Sequence, residues 1–509
     1  MASLPTETLC DIFQLVVAAA TPRFRCTVTL VQTELERVAN APLLRLSQVS
    51  SRWHEIAMNT PTLWSNVEVN DVTGRRPVDL ENIIQLLTVR LERTRDAPLS
   101  VFLRVTSACE DIPQPPHPRI FSLLAQHSHR WQTARILCSL EGLDPAVVRG
   151  RLPRLKNLML NVPLGMGNFF GIAPCLRNLT VTAPAIRSES LDEILRKKQL
   201  QSFGCLVRRR GQFRDALSLL PELPFQTHFY LSFDLVNGMF GSDRPTSLSL
   251  PSITAQISSL ACGTVGEFNP DHSSLALGQA FDSLTVPNVR RVLLGSSVYP
   301  RLVLEWPHTH FLAFSQRSRL DTHLKLVCIA EVRITESDLL EVLSFLKVLE
   351  HLEIGDPPRD VDEPSDAGLI TDSFLHAMLW TPGQDCLVPC LSHFACVSRL
   401  TFTHSLVIDL VESRLNLLTD SSTIFQLCIH PFPSSDVRLD AAVHTRLWEL
   451  AAKDKQFFYR TGEKYITLPS SSLMINITRT FKSGLLNTPE DHPPSWSACT
   501  KLPKCTIWS

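Results

Sequence analysis

Leu9, Ile12, Phe13, Val16 and Val17 fall on one face of a helix opened by Pro5, whose missing N–H would be unpaired in a first helical turn anyway. Leu46, Val49, Trp53, Ile56 and Ala57 repeat the 3.6-residue period in a second helix, which Pro61 ends, leaving Leu63 and Trp64 to fold back as a lid. Between them, Ala18 to Pro42 carries Val28, Leu30, Val31, Leu35 and Val38 without a clear assignment. A unit of this size encloses little core, so part of its apolar surface is expected to meet a partner or the rest of the chain.

A different rhythm follows. Val67 to Asp96 reads as a connector plus a helix (Leu80, Ile83, Ile84, Leu87, Leu91), and Pro98 to Leu103 has the alternation of a strand. The next helix and strand are Ile120 to Trp131 and Thr133 to Leu137. Leu152, Leu155, Leu158 and Leu160 state a motif with leucines at i, i+3, i+6 and i+8, and Ala173 to Val181 repeats it about 21 residues later. Weaker copies run from Val286 to Leu294 and from Leu346 to Ile354. In each, the last two apolar positions alternate around a polar one and suit a strand with one buried face, while the earlier leucines fill the layer behind the turn. One such repeat cannot cover its own apolar face, so copies must stack. From 221 to 277 the spacing lapses, although Phe229 to Phe233 and Thr246 to Leu250 read as strands, and the repeat number is open there. Asp356 to Asp366, with three prolines and five acidic residues, reads as an exposed loop. From Lys453 periodicity is lost, and the segment is expected to be poorly ordered.

The predicted class is α/β: a helical unit at 1–68, a helical connector at 69–98, an irregular leucine-rich-repeat-like solenoid at 99–452 (a curved parallel sheet with outer helices), and an irregular tail at 453–509. At 509 residues, 44% hydrophobic and 19% charged, the chain is long enough for a large core and is globular. A net charge of −1 leaves no global field to draw it to nucleic acid or an anionic membrane, and Arg208-Arg209-Arg210, its one dense basic cluster, reads as a solvated loop. No apolar run is long enough to suggest a membrane span. Fourteen cysteines without paired spacing, and an opening helix that carries Glu7 and Asp11 instead of a signal pattern, point to a reducing compartment, the cytoplasm or nucleus. The acceptor patterns at Asn178 and Asn476 carry no weight in that setting.

Chemistry is sparse. His54-Glu55 begins like a helical zinc motif but places Met58 where the second imidazole must stand. Cys386, Cys390, His393 and Cys396 are competent metal ligands, yet their spacing is not that of a structural zinc site. With Leu387, Val388, Leu391, Phe394 and Val397 they read as another buried repeat using cysteine as a small apolar filler. His308 and His310 are assigned to a loop after a strand at Leu302 to Leu304. Phosphate-cradling and nucleophile-turn motifs are lacking, so no catalytic residue, cofactor or metal is assigned.

Leu4-Pro5, Glu7, Ile12-Phe13, Leu46, Val49, Arg52-Trp53 and Leu63-Trp64 together resemble an F-box. The resemblance implies docking on a Skp-type adaptor, and through it a cullin, by Leu4, Pro5, Leu9, Ile12, Phe13, Leu46, Val49 and Trp53. The order of Leu91 to Thr94, Ser128 to Trp131, Ala173-Pro174, Leu176-Arg177 and Phe314 to Ser318 is similar to F-box proteins of mushroom-forming fungi that carry irregular leucine-rich-like repeats. Together the two resemblances cover about residues 4 to 415. They imply a substrate-receptor subunit of a cullin-RING ubiquitin ligase, whose repeats hold a target protein of unknown identity. Such a subunit acts by raising local concentration and needs no catalytic side chain. The alternatives are a scaffold that recruits no ligase, an ordinary helical N-terminal subdomain among them, and an enzyme with its site in the repeat loops.

Overall fold

A computed structural model of the chain describes residues 4–20, 42–72, 77–106, 115–140, 142–161, 167–183, 199–207, 210–234, 252–265, 270–296, 304–330, 332–356, 368–417, 424–431, 438–453 and 457–461. The strands are β1 (Asn66–Val72), β2 (Leu99–Thr106), β3 (Trp131–Leu137), β4 (Asn157–Asn161), β5 (Asn178–Ala183), β6 (Ser202–Val207), β7 (His228–Asp234), β8 (Ile253–Thr254) and β9 (Ser259–Val265). They continue with β10 (Leu284–Thr285), β11 (Arg291–Ser296), β12 (Leu304–Glu305), β13 (Leu326–Ala330), β14 (Val332–Arg333), β15 (His351–Gly355), β16 (His393–Ser398), β17 (Phe425–Pro431) and β18 (Phe457–Thr461). Fourteen of them form one sheet in chain order; β8 with β10 and β12 with β14 make two small outer pairs. The pairings are parallel.

The register explains the leucine spacing. One buried row crosses the whole sheet: Val67, Val101, Ala134, Leu158, Leu179, Phe203 and Phe229, then Leu260, Val292, Val327, Leu352, Phe394, Leu427 and Tyr459. A second row two residues on runs from Val69 through Leu160, Val181, Cys205, Leu231, Cys262 and Ile354 to Cys396 and Ile429. Because side chains alternate along a strand, these are the i+6 and i+8 positions of the motif. The i and i+3 positions close the turn before the strand. Leu155 N–H donates to Leu152 C=O at 3.4 Å, Leu176 to Ala173 at 3.1 Å, Val289 to Val286 at 3.2 Å, Leu349 to Leu346 at 3.2 Å and Leu391 to Val388 at 3.1 Å. The described strands of the segment 221–277 keep the rows through Phe229 and Leu231, then Leu260 and Cys262; Phe229 stacks on Phe203 of the preceding strand at 6.1 Å. Thr246 to Leu250 lies outside the described residues. Helices back the same core through Leu87 and Leu91, Phe121 and Leu124, Leu339 and Val342, and Phe374 and Leu375. Among the described residues no helix is long and apolar enough to cross a membrane.

Several expectations need correction. The sheet starts at Asn66, so a strand stands at the boundary between the expected helical unit and the connector. It runs on to Thr461, beyond the expected end at 452, because Phe457 stacks on Phe425 at 6.3 Å and Tyr459 is buried; residues 462–509 lie outside the described residues. The single second helix is two helices, Pro42–Ser47 and Ser51–Asn59, the latter capped by the Ser50 hydroxyl, which accepts from Trp53 N–H at 3.2 Å. His308 and His310 lie in the first turn of the helix His308–Ser318 and not in a loop. Asp356, placed in an exposed loop, is buried; residues 357–366 of that loop lie outside the described residues.

Candidate functional site

The N-terminal unit has its own core of Leu9, Phe13, Leu43, Ile56, Ala57, Leu63 and Trp64. Trp53 packs its ring against Phe13 at 4.9 Å, and the Trp64 indole N–H donates to the Ala57 carbonyl at 2.8 Å, so the lid predicted for Leu63 and Trp64 forms. Arg52 donates to the Leu4 carbonyl at 2.5 Å and fixes the chain before the first helix, Thr6–Ala20. The unit is fastened to the sheet. Arg93 lies over the Trp64 ring, 4.4 Å from its centroid, and Arg90 donates to the carbonyls of Trp64 at 3.4 Å and Asn66 at 2.5 Å.

The eight residues expected at an adaptor interface divide. Leu4 (51% exposed), Pro5, Ile12 and Val49 (61%) face outward, while Leu46 and Trp53 are half-buried. Leu9 and Phe13 are buried in the unit's own core and are corrected to structural residues, since they offer no surface to a partner. The assumed single apolar face of the first helix is really two: Leu9, Phe13 and Val17 point inward, whereas Ile12, Leu15 (70% exposed) and Val16 form an outward stripe. Leu15 was missed. The signal was available in the run Leu15 to Ala20, because a helix apolar on more than one side has more apolar surface than one core can take.

The second candidate surface is the sheet face opposite the core. Its most regular feature is a side-chain ladder at the first strand position: Asn157 donates to the Thr133 hydroxyl at 3.0 Å, Asn178 to Asn157 Oδ1 at 2.6 Å, and the Ser202 hydroxyl to Asn178 Oδ1 at 2.6 Å. Further along, the His351 and His393 rings lie 5.4 Å apart, and His393 Nδ1 meets Gln426 Oε1 at 3.1 Å. In mid-sheet Ala261 and Leu293 are buried among Tyr230, Leu326 and Cys328, an apolar island on this face.

Burial, reinforced by Arg291, holds the His228 imidazole down at about 4, and burial with His393 does the same for His351. The unfolded chain takes up these protons from about 6.5, so protonation favours unfolding as the pH falls from there to about 4. Stability is therefore expected to be level above that window and to be lost within it on acidification. Denaturation midpoints measured across the window should show a shallower decline after His228→Gln with His351→Gln; an unchanged decline would mean that other groups cause it.

The cysteine cluster does not assemble. Cys396 is a buried filler in the second core row, as expected, and burial pushes its thiol up. Cys390 is exposed and Cys386 half-buried, which corrects the filler reading for both. Among the described residues no three His, Cys, Asp or Glu side chains are grouped to hold a metal.

No curated protein matches the chain. Residues 1–69 match the F-box-like family, and the compact unit closed by Leu63 and Trp64 is therefore an F-box-like domain.

Proposed function

We propose that this protein is a substrate-receptor subunit of a cullin-RING ubiquitin ligase, working in the cytoplasm or nucleus. The F-box-like domain docks on a Skp-type adaptor, and the sheet domain, a leucine-rich-repeat-like solenoid, carries the target protein. The observation that supports this most is the pairing of the F-box-like match with a domain that fills its own core yet leaves Leu4, Ile12, Leu15, Val16 and Val49 outside. An outward apolar stripe on a small domain is the kind of surface that a partner covers. The solenoid reading is supported by parallel pairing in strict chain order, by the recurring turn before the strands, and by the continuous buried rows. On this reading the receptor's work is to hold two proteins close together, which raises their local concentration.

Purified chain mixed with a Skp-type adaptor should give a stable complex. Leu4→Ala with Leu15→Ala is expected to weaken it by about 1–3 kcal/mol per anchor, the range of moderate hot spots, with unfolding of the sheet domain unchanged. Wild-type protein that does not bind the adaptor would remove the ligase reading and favour a scaffold. Full binding by the double variant would remove these two residues from the interface.

A further inference from the structure

Arg414, in the helix Leu406–Leu417, is 1% exposed. Its Nη1 donates to the Val388 carbonyl at 2.9 Å, and its Nη2 donates to the carbonyls of Met378 at 2.6 Å and Leu387 at 2.9 Å. Its Nε–H has no acceptor among the described residues. A guanidinium does not give up its charge in a protein, and carbonyl dipoles replace water only in part, so a buried arginine ordinarily faces an anion. No carboxylate pairs with Arg414 among the described residues. Burial pulls its guanidinium below the ordinary range, and Cys386 opposes that shift.

The Cys386 thiol lies beside this charge. Its Sγ donates to the Leu387 carbonyl at 3.3 Å, the same oxygen that receives Arg414 Nη2. The loop is held tightly around the pair. Val388 has a φ of 45°, a left-handed conformation costly for a β-branched residue, and its carbonyl is one of the three that Arg414 grips. A thiolate formed at Cys386 thus meets a cation already in place that pairs with no carboxylate among the described residues.

We propose that Cys386 is a site of thiol oxidation, modified by hydrogen peroxide ahead of the more exposed cysteines because Arg414 provides the counter-charge. The thiolate sulfur attacks one peroxide oxygen; an S–O bond forms as the O–O bond breaks, and sulfur gives two electrons to the peroxide. The departing hydroxide takes up the proton that the thiol released and leaves as water. The product is a sulfenic acid beside the Arg414 guanidinium. This inference is independent of the F-box-like domain and its proposed adaptor.

The test uses the full chain with limiting hydrogen peroxide and a dimedone-type probe for sulfenic acid, read at each cysteine by mass spectrometry. Labelling at half-buried Cys386 is expected to exceed that at exposed Cys390 and Cys175 by about tenfold or more, whereas accessibility alone predicts the reverse order. Equal or lower labelling at Cys386 overturns the proposal. Arg414→Met removes three buried hydrogen bonds and risks the fold, so the role of the charge is read on the intact chain. Anionic iodoacetate, relative to neutral iodoacetamide, should be favoured at Cys386 over Cys390, because a cation beside the thiol draws the anionic reagent; equal reagent ratios at the two cysteines would show that the guanidinium does nothing for the thiol and would overturn the proposal.

Discussion

Leu158→Ala and Leu179→Ala are each expected to lower the unfolding free energy by about 2–5 kcal/mol, the cost of emptying a packed position that cannot fully collapse. Both side chains are buried, and they are register partners on adjacent strands β4 and β5 of the first core row. Their neighbours on either side, Ala134 and Phe203, belong to the same row, so each truncation leaves a gap within a continuous layer and not at its edge. Because the two residues touch one space, the double variant should depart from the sum of the singles. Thermal or denaturant unfolding of the full chain measures the effect. A change near zero at both positions would mean that the row is not the structural core.

Asp356→Ala is expected to cost a comparable amount, about 2–5 kcal/mol, because it leaves two buried amides without an acceptor. Asp356 is 1% exposed and stands just past β15; its Oδ1 accepts from Leu369 N–H at 2.8 Å and its Oδ2 from Arg399 N–H at 2.7 Å. One carboxylate thereby ties the end of β15 to the chain entering the helix Asp372–Met378 and to the chain leaving β16. Gly368 allows the close approach, since a Cβ there would stand 2.8 Å from Thr401 Oγ1. Asp356→Asn should lose less, as its amide oxygen can still accept one of the two bonds. Amide hydrogen exchange at Leu369 and Arg399 should accelerate in the alanine variant. Retained protection at both would show that the carboxylate does not hold this junction.

Much of this architecture was legible in the linear pattern. Leu152, Leu155, Leu158 and Leu160 announced turn and strand together because the turn bond spans three residues and the strand alternates with a period of two. Cys396 was legible as a filler because its position in the motif is a core position whatever residue occupies it. The F-box-like domain was legible from Leu4-Pro5, Trp53 and the Leu63-Trp64 lid. Other features were hidden. Val49 fits a helical period, yet the capping Ser50 hydroxyl satisfies the amide of Trp53 and starts a new helix after it. Asp356 sits among prolines and acids that read as loop, and nothing local to it reveals that two distant amides need its oxygens.

The sequence by itself determined the α/β class, the parallel stacking of helix-and-strand units and the character of the N-terminal domain, because each rests on short-range spacing that decides which side chains leave water together. Only the tertiary structure decided which apolar face of the first helix is spent on its own core and which faces outward, since that depends on how much surface the helices Pro42–Ser47 and Ser51–Asn59 can cover. It also decided the pairing of Arg414 with the loop of Cys386, 28 residues earlier in the chain, and the two bonds of Asp356. Burying a charge or a carboxylate is tolerable only where particular partners converge on it, and that convergence comes from the packing of one helix-and-strand unit on the next, which no local pattern records.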